Sequence, residues 1–146
     1  MRKSRIAVTL GGAVAATVLT ISTASAITLE VDVAGTTPWP GGAVTARCAS
    51  TEEAVGCFRS DGDWFSLVDQ KSDGHSVVIR WATYDPKSNV MQREGIIWNT
   101  AGLNAYRYMN KNLAEGDFLE FSMCAAEWST KHIIENTCAG TTSATA

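Results

Sequence analysis

Gly74-His75-Ser76-Val77-Val78 opens in the manner of a nucleophile elbow, where a serine on a sharp turn is activated by a histidine backed by a carboxylate. The closing glycine is missing and no helical pattern follows, so His75 reads as a turn residue. Asp63 beside Trp64 and Glu127 beside Trp128 pair a carboxylate with an aromatic ring, the combination a glycosidase sets across a sugar cleft. A small β domain whose strand faces are committed to its core leaves little room for such a cleft. Asp61-x-Asp63, with Asp69 and Asp73 nearby, gathers hard oxygens of the kind calcium takes, but without the EF-hand spacing. Short carboxylates in turns also bond neighbouring backbone N–H groups, and that is the role expected here. His75 and His132 are the only histidines and there is no Cys-x-x-Cys pair, so zinc is not expected. The reading is therefore of a non-enzymatic chain with no metal and no cofactor.

The five tryptophans are the richest feature. Trp81 is in phase with Val77 and Ile79 and belongs to a core. Trp64 and Trp98 sit on strands near turns, where either fate is open. Trp39, between two prolines, and Trp128, between Glu127 and Ser129, fall in loops. A loop tryptophan offers a flat apolar face and one N–H donor, which suits a sugar ring or a protein surface. Trp39 and Trp128 are accordingly the candidate ligand-binding residues, with an aromatic lid over the core edge as the competing reading.

Residues 1–26 have the form of an export signal: Arg2, Lys3 and Arg5, then an uncharged run from Ile6 to Ile21, then Ala24-Ser25-Ala26. The run is too short for a transmembrane span, and no cysteine follows to take a lipid. A released, extracellular protein comprising residues 27–146 is expected, with no membrane insertion. Losing three of the 12 Lys and Arg residues leaves 9 bases against 15 acids, a balance near −6. That acidity argues against nucleic acid as a partner. Four cysteines in an oxidising compartment imply two disulfides. Cys48–Cys57 with Cys124–Cys138 is the favoured pairing, because each closes a short local loop; a Cys48–Cys124 bridge between sheets, as in immunoglobulin domains, is the rival.

These residues need a scaffold, and the pattern that supplies it has period two. Ile27, Leu29, Val31 and Val33 alternate with Thr28, Glu30 and Asp32, which reads as a half-buried strand. Further strands are expected at 55–59, 64–68, around Val77–Ala82, at 92–98, 103–109 and 117–126, with 132–138 pairing back as the last. Asn110–Ala114 is long enough for one helical turn. Strands at such short intervals, separated by turn residues, predict an all-β antiparallel sandwich, immunoglobulin-like or related, as one domain.

The stretch from Gly62 to Trp81, with its Gly-Asp, alternating strand, Asp and Asp73-Gly74-x-Ser76, resembles a pattern recurring in small secreted β-domain proteins of filamentous actinobacteria. Trp98-Asn99-Thr100-Ala101-Gly102 and Ala114-Glu115-Gly116-Asp117 fit the same type, so the likeness covers roughly residues 55–140. Those proteins have no assigned activity, and the resemblance implies a fold and export, with no catalytic residues to carry over. Two functions follow as expectations. The first is non-catalytic extracellular binding of a glycan or protein through Trp39 and Trp128. The alternative is a protease inhibitor presenting a disulfide-constrained loop, 49–56 or 125–137. Size, export and two bridges are similar to secreted subtilisin inhibitors, but their reactive-site pattern is absent from the sequence.

Overall fold

The alternating apolar positions sort into two stacked sheets. A computed structural model describes residues 26–41 and 45–146, so the expected export signal lies, all but Ala26, outside the described residues. Among these residues the strands are β1 (Leu29–Val33), β2 (Arg47–Ser50), β3 (Ala54–Arg59), β4 (Trp64–Asp69), β5 (Ser76–Tyr84), β6 (Met91–Asn99), β7 (Tyr106–Asn110), β8 (Phe118–Glu127), β9 (His132–Ile133) and β10 (Thr142–Thr145). One sheet runs β1-β6-β5-β8-β10 with β9 added beside β8, and the other runs β2-β3-β4-β7. The result is an all-β sandwich. Val77, Ile79 and Trp81 of β5 and Leu119, Phe121 and Met123 of β8 face Phe58, Phe65 and Leu67 across the interior. Phe65 stands edge-on to Phe121, with ring centroids 6.1 Å apart.

Both local disulfides form, Cys48–Cys57 and Cys124–Cys138, and the inter-sheet Cys48–Cys124 bridge does not. The first joins directly opposed residues of the β2–β3 hairpin. The second ties the segment after β8 back onto the outer face of the larger sheet, where Val78, Trp98, Cys124 and Ala126 form a small second core with Ile96, Ile133 and Cys138. Closing its 14-residue separation contributes about 3 kcal/mol by restricting the unfolded chain. The double variant Cys124→Ser/Cys138→Ser should lose about that much in urea unfolding; a loss under about 1 kcal/mol would mean that backbone bonds alone hold the segment.

Four expectations need correction. The sheet is not wholly antiparallel, because β1 runs parallel to β6. Past β1 the chain crosses over, Ala34 N donating to Trp98 O and Gly35 bridging Tyr108 of β7, so the segment that follows the strand ties the two sheets together. The faces of β1 are also inverted. Leu29, Val31 and Val33 are about half exposed, while Glu30 and Asp32 turn inward to Arg93 and Lys111. The expected last strand over 132–138 is only two residues long and gives way to a 3-10 turn at Glu135–Thr137, and the final strand is the polar β10. Asn110–Ala114 forms no helical turn; Lys111 N and Leu113 N instead donate to the backbone and carboxylate of Asp63.

Candidate functional site

Trp39 belongs to the outer face of the four-stranded sheet. In β4, Phe65 and Leu67 point into the core, so Trp64, Ser66 and Val68 point outward. Their cross-strand neighbours on β7 follow: Ser66 opposes Tyr108 and Val68 opposes Tyr106. The two tyrosines therefore share the outer face, and Tyr106 is 59% exposed. Pro38 and Pro40 hold the intervening Trp39 in an extended segment, and its ring packs on Tyr108 with centroids 6.2 Å apart and planes tilted by 55°. The segment is held at its far end by Arg59, whose buried guanidinium donates to the Pro40 carbonyl and to Asp61. Trp39, Tyr108 and Tyr106 thus form a strip of rings over a rigid sheet, with Trp39 itself half-buried.

Trp128 lies elsewhere. It follows β8 and stands edge-on to Trp98, centroids 5.2 Å apart, on the outer face of the larger sheet. Lys131 lies over its ring, with Nζ 2.8 Å from the Trp128 carbonyl, and partial desolvation pushes the lysine pKa down. Trp98 is buried beneath, so Trp128 serves as the lid of the small second core, 37% exposed. The two candidate tryptophans consequently occupy opposite outer faces and do not make one platform.

The carboxylates and histidines are likewise spread apart. His75 Nδ1 is 2.5 Å from Glu127 Oε1, while Ser76 sits half-buried in β5 opposite Ala126. Asp63 lies at the other end of the sandwich, near Arg93, and the nine residues of β5 between those ends span about 30 Å. Asp63 and Glu127 therefore flank no common cleft. Asp63 is 5% exposed; burial pushes its carboxyl up, against the Leu113 N–H bond at 2.8 Å. Asp69 accepts Lys71 N at 2.9 Å and Asp73 accepts His75 N at 3.0 Å, the turn-stabilising role expected of them. Among the described residues no three His, Cys, Asp or Glu side chains converge as a metal site would require.

The chain matches no family model, no curated protein and no solved structure. Function therefore has to be read from the surface itself. The sequence puts Tyr106 and Tyr108 on one face of their strand but does not mark them, or Arg59, as site residues. The two tyrosines alternate with Arg107 and Met109, a pattern that marks a shared face without saying whether it is the inner one. Arg59, at the end of an apolar strand, carried no signal at all.

Proposed function

We propose that this chain is a secreted, non-catalytic domain that binds an extracellular glycan through the ring strip Trp39–Tyr108–Tyr106. The observation that carries the reading is the exposure of Tyr106 on the same outer sheet face as Tyr108, against which Trp39 packs at a tilt. Aromatic rings present flat apolar area at low entropic cost, and a sugar ring stacks on such area while its hydroxyls stay hydrated. Export is supported by the form of residues 1–26 and by two disulfides, and no helix among the described residues is long and apolar enough to cross a membrane. The pattern around Gly62–Trp81 fits the same reading, since the proteins it resembles are secreted β domains.

The inhibitor reading draws less support. The 49–56 loop is a closed hairpin in which Thr51 Oγ1 accepts the N–H groups of Glu53 and Ala54, both at 3.1 Å. The 125–137 loop is folded onto β8, with Ile134 N bonded to Ala125 O. Neither leaves the extended, protruding backbone that a protease cleft grips.

Incubation with insoluble cell-wall and plant polysaccharides tests the proposal by depletion from solution. Retention on at least one polymer is expected, reduced about tenfold or more in Trp39→Ala and Tyr106→Ala and unchanged in Trp128→Ala. Equal retention of all four proteins, or depletion by none of the polymers, would remove the ring strip as a glycan site.

A further inference from the structure

The outer face of the larger sheet carries a trough of about 590 Å³, bounded by Leu29 of β1 on one side and by Ile133, Glu135 and Cys138 on the other. Its floor is set by strand register. One cross-strand row reads Leu29–Glu94–Ala82–Glu120–Ser143, and the next reads Val31–Ile96–Arg80–Ser122. Neighbouring strands lie about 4.8 Å apart, so the backbones of Glu94 and Glu120 stand about 10 Å apart with only the methyl of Ala82 between them. A slot results, with a carboxylate on each wall and a small apolar base. Both glutamates are half-buried, and neither is ion-paired among the described residues. The nearest basic group on the floor, Arg80, is turned to Glu135 at 2.8 Å.

We propose that this trough binds an extended basic–apolar peptide segment of a partner protein, with a lysine or arginine seated over Ala82 between Glu94 and Glu120. The charge of the slot selects a cation. The lining selects its neighbours, because Leu29, 48% exposed, and Ile96 present aliphatic side chains along one side, with Val31 outward just beyond them. Two features separate this occupant from the others. Two carboxylates flank the slot and Tyr84 is the one outward-facing ring in its lining, so the charge favours a cation over a neutral sugar. A second copy of the chain would bring an acidic surface against an acidic slot, the mature balance being near −6. The proposal is independent of the glycan reading, which concerns the opposite face.

Fluorescence anisotropy of the purified chain with a labelled peptide of alternating lysine and leucine tests it, with the glutamate-for-lysine peptide as the counterpart. Saturable binding of the first peptide alone is expected. Glu94→Gln/Glu120→Gln should weaken it about tenfold or more, and Ala82→Leu, which fills the slot while keeping every charge, should do the same. Trp39→Ala should bind the peptide as the parent does, and Glu94→Gln/Glu120→Gln should retain polysaccharide as the parent does, so each reading fails separately. Each variant's thermal midpoint shows that it is folded, and Glu94→Gln alone serves if the double variant is not. No binding of the basic peptide, equal binding of both peptides, undiminished binding by the glutamine variants, or a dimer in sedimentation that buries the trough would each overturn the proposal.

Discussion

Lys111→Met should lower the unfolding free energy by about 3 kcal/mol in urea at pH 7, a fall in Tm of about 10 °C. The Lys111 side chain is only 7% exposed, and its Nζ lies 2.5 Å from Glu30 Oε2 and 2.7 Å from Asp32 Oδ2. Arg93 grips the same Glu30 with two nitrogens at 2.8 and 3.0 Å, and both cations lie over the Trp81 ring at 5.1 and 5.5 Å. Methionine keeps the packing but leaves Asp32 without its cation and Glu30 with Arg93 alone. Their partial exposure keeps the cost at the lower end of what removing one partner of a buried pair entails. Lys87→Met, in an exposed turn, is the control; a loss no larger than its own would mean that charge does not hold β1 in place.

Acid should act through the same group. Hydrogen bonding to Arg93, and then to Lys111, holds the Glu30 carboxyl down at about 2 from its ordinary 4.5. A carboxyl depressed on folding stabilises the native state fully above its unfolded value. That contribution drains away as pH falls from about 4.5 towards 2. Asp63 runs the other way, since burial raises it and its contribution is greatest below its ordinary 3.8. The parent should therefore lose stability between pH 4.5 and 2, and Lys111→Met should show a shallower slope; parallel slopes would contradict the assignment.

Gly95→Ala is the second large effect, at about 3 kcal/mol. A Cβ at Gly95 would lie 2.7–2.8 Å from Nε1, Cε2 and Cζ2 of Trp81, well inside contact distance. That indole is 3% exposed and carries the two cations, so it has nowhere to retreat, and overpacking of this kind costs about 1–3 kcal/mol or more. Gly56 is an instructive contrast. A Cβ there also collides, with Sδ and Cγ of Met123 and Cδ1 of Ile79, buried side chains that unlike an indole can change rotamer. Gly56→Ala should cost about 1 kcal/mol, as those side chains rotate aside. Thermal unfolding of both variants checks the order; Gly56→Ala proving the costlier would show that Trp81 is the more yielding neighbour.

The strands with strong alternation, such as β5 and β8, were legible because an apolar face had to meet another. Val77, Ile79 and Trp81 meet Phe65 and its neighbours as their spacing implied. In β1 the same kind of alternation misled. Period two separates two faces but does not say which is inner, and here Arg93 and Lys111, more than sixty residues away, decide for the acids. β10 was invisible for a different reason: in Thr142-Ser143-Ala144-Thr145 only Ala144 is apolar and touches the core, and the rest of its order comes from backbone pairing with β8. The candidate tryptophans were legible as types but not as a pair. Their separation onto opposite faces follows from the outward register of Ser66 and Trp98, which no local pattern reveals.

The ion network at β1 also sets how the domain meets strong brine. At 1 M salt the Debye length shrinks to about 3 Å, and exposed pairs such as Lys71–Glu53 lose most of their attraction. Lys111 itself is only 7% exposed over the Trp81 ring, so its pairs with the partly exposed Glu30 and Asp32 are screened less than a fully exposed pair. The first strand should therefore stay docked where the rest of the surface has been electrostatically silenced.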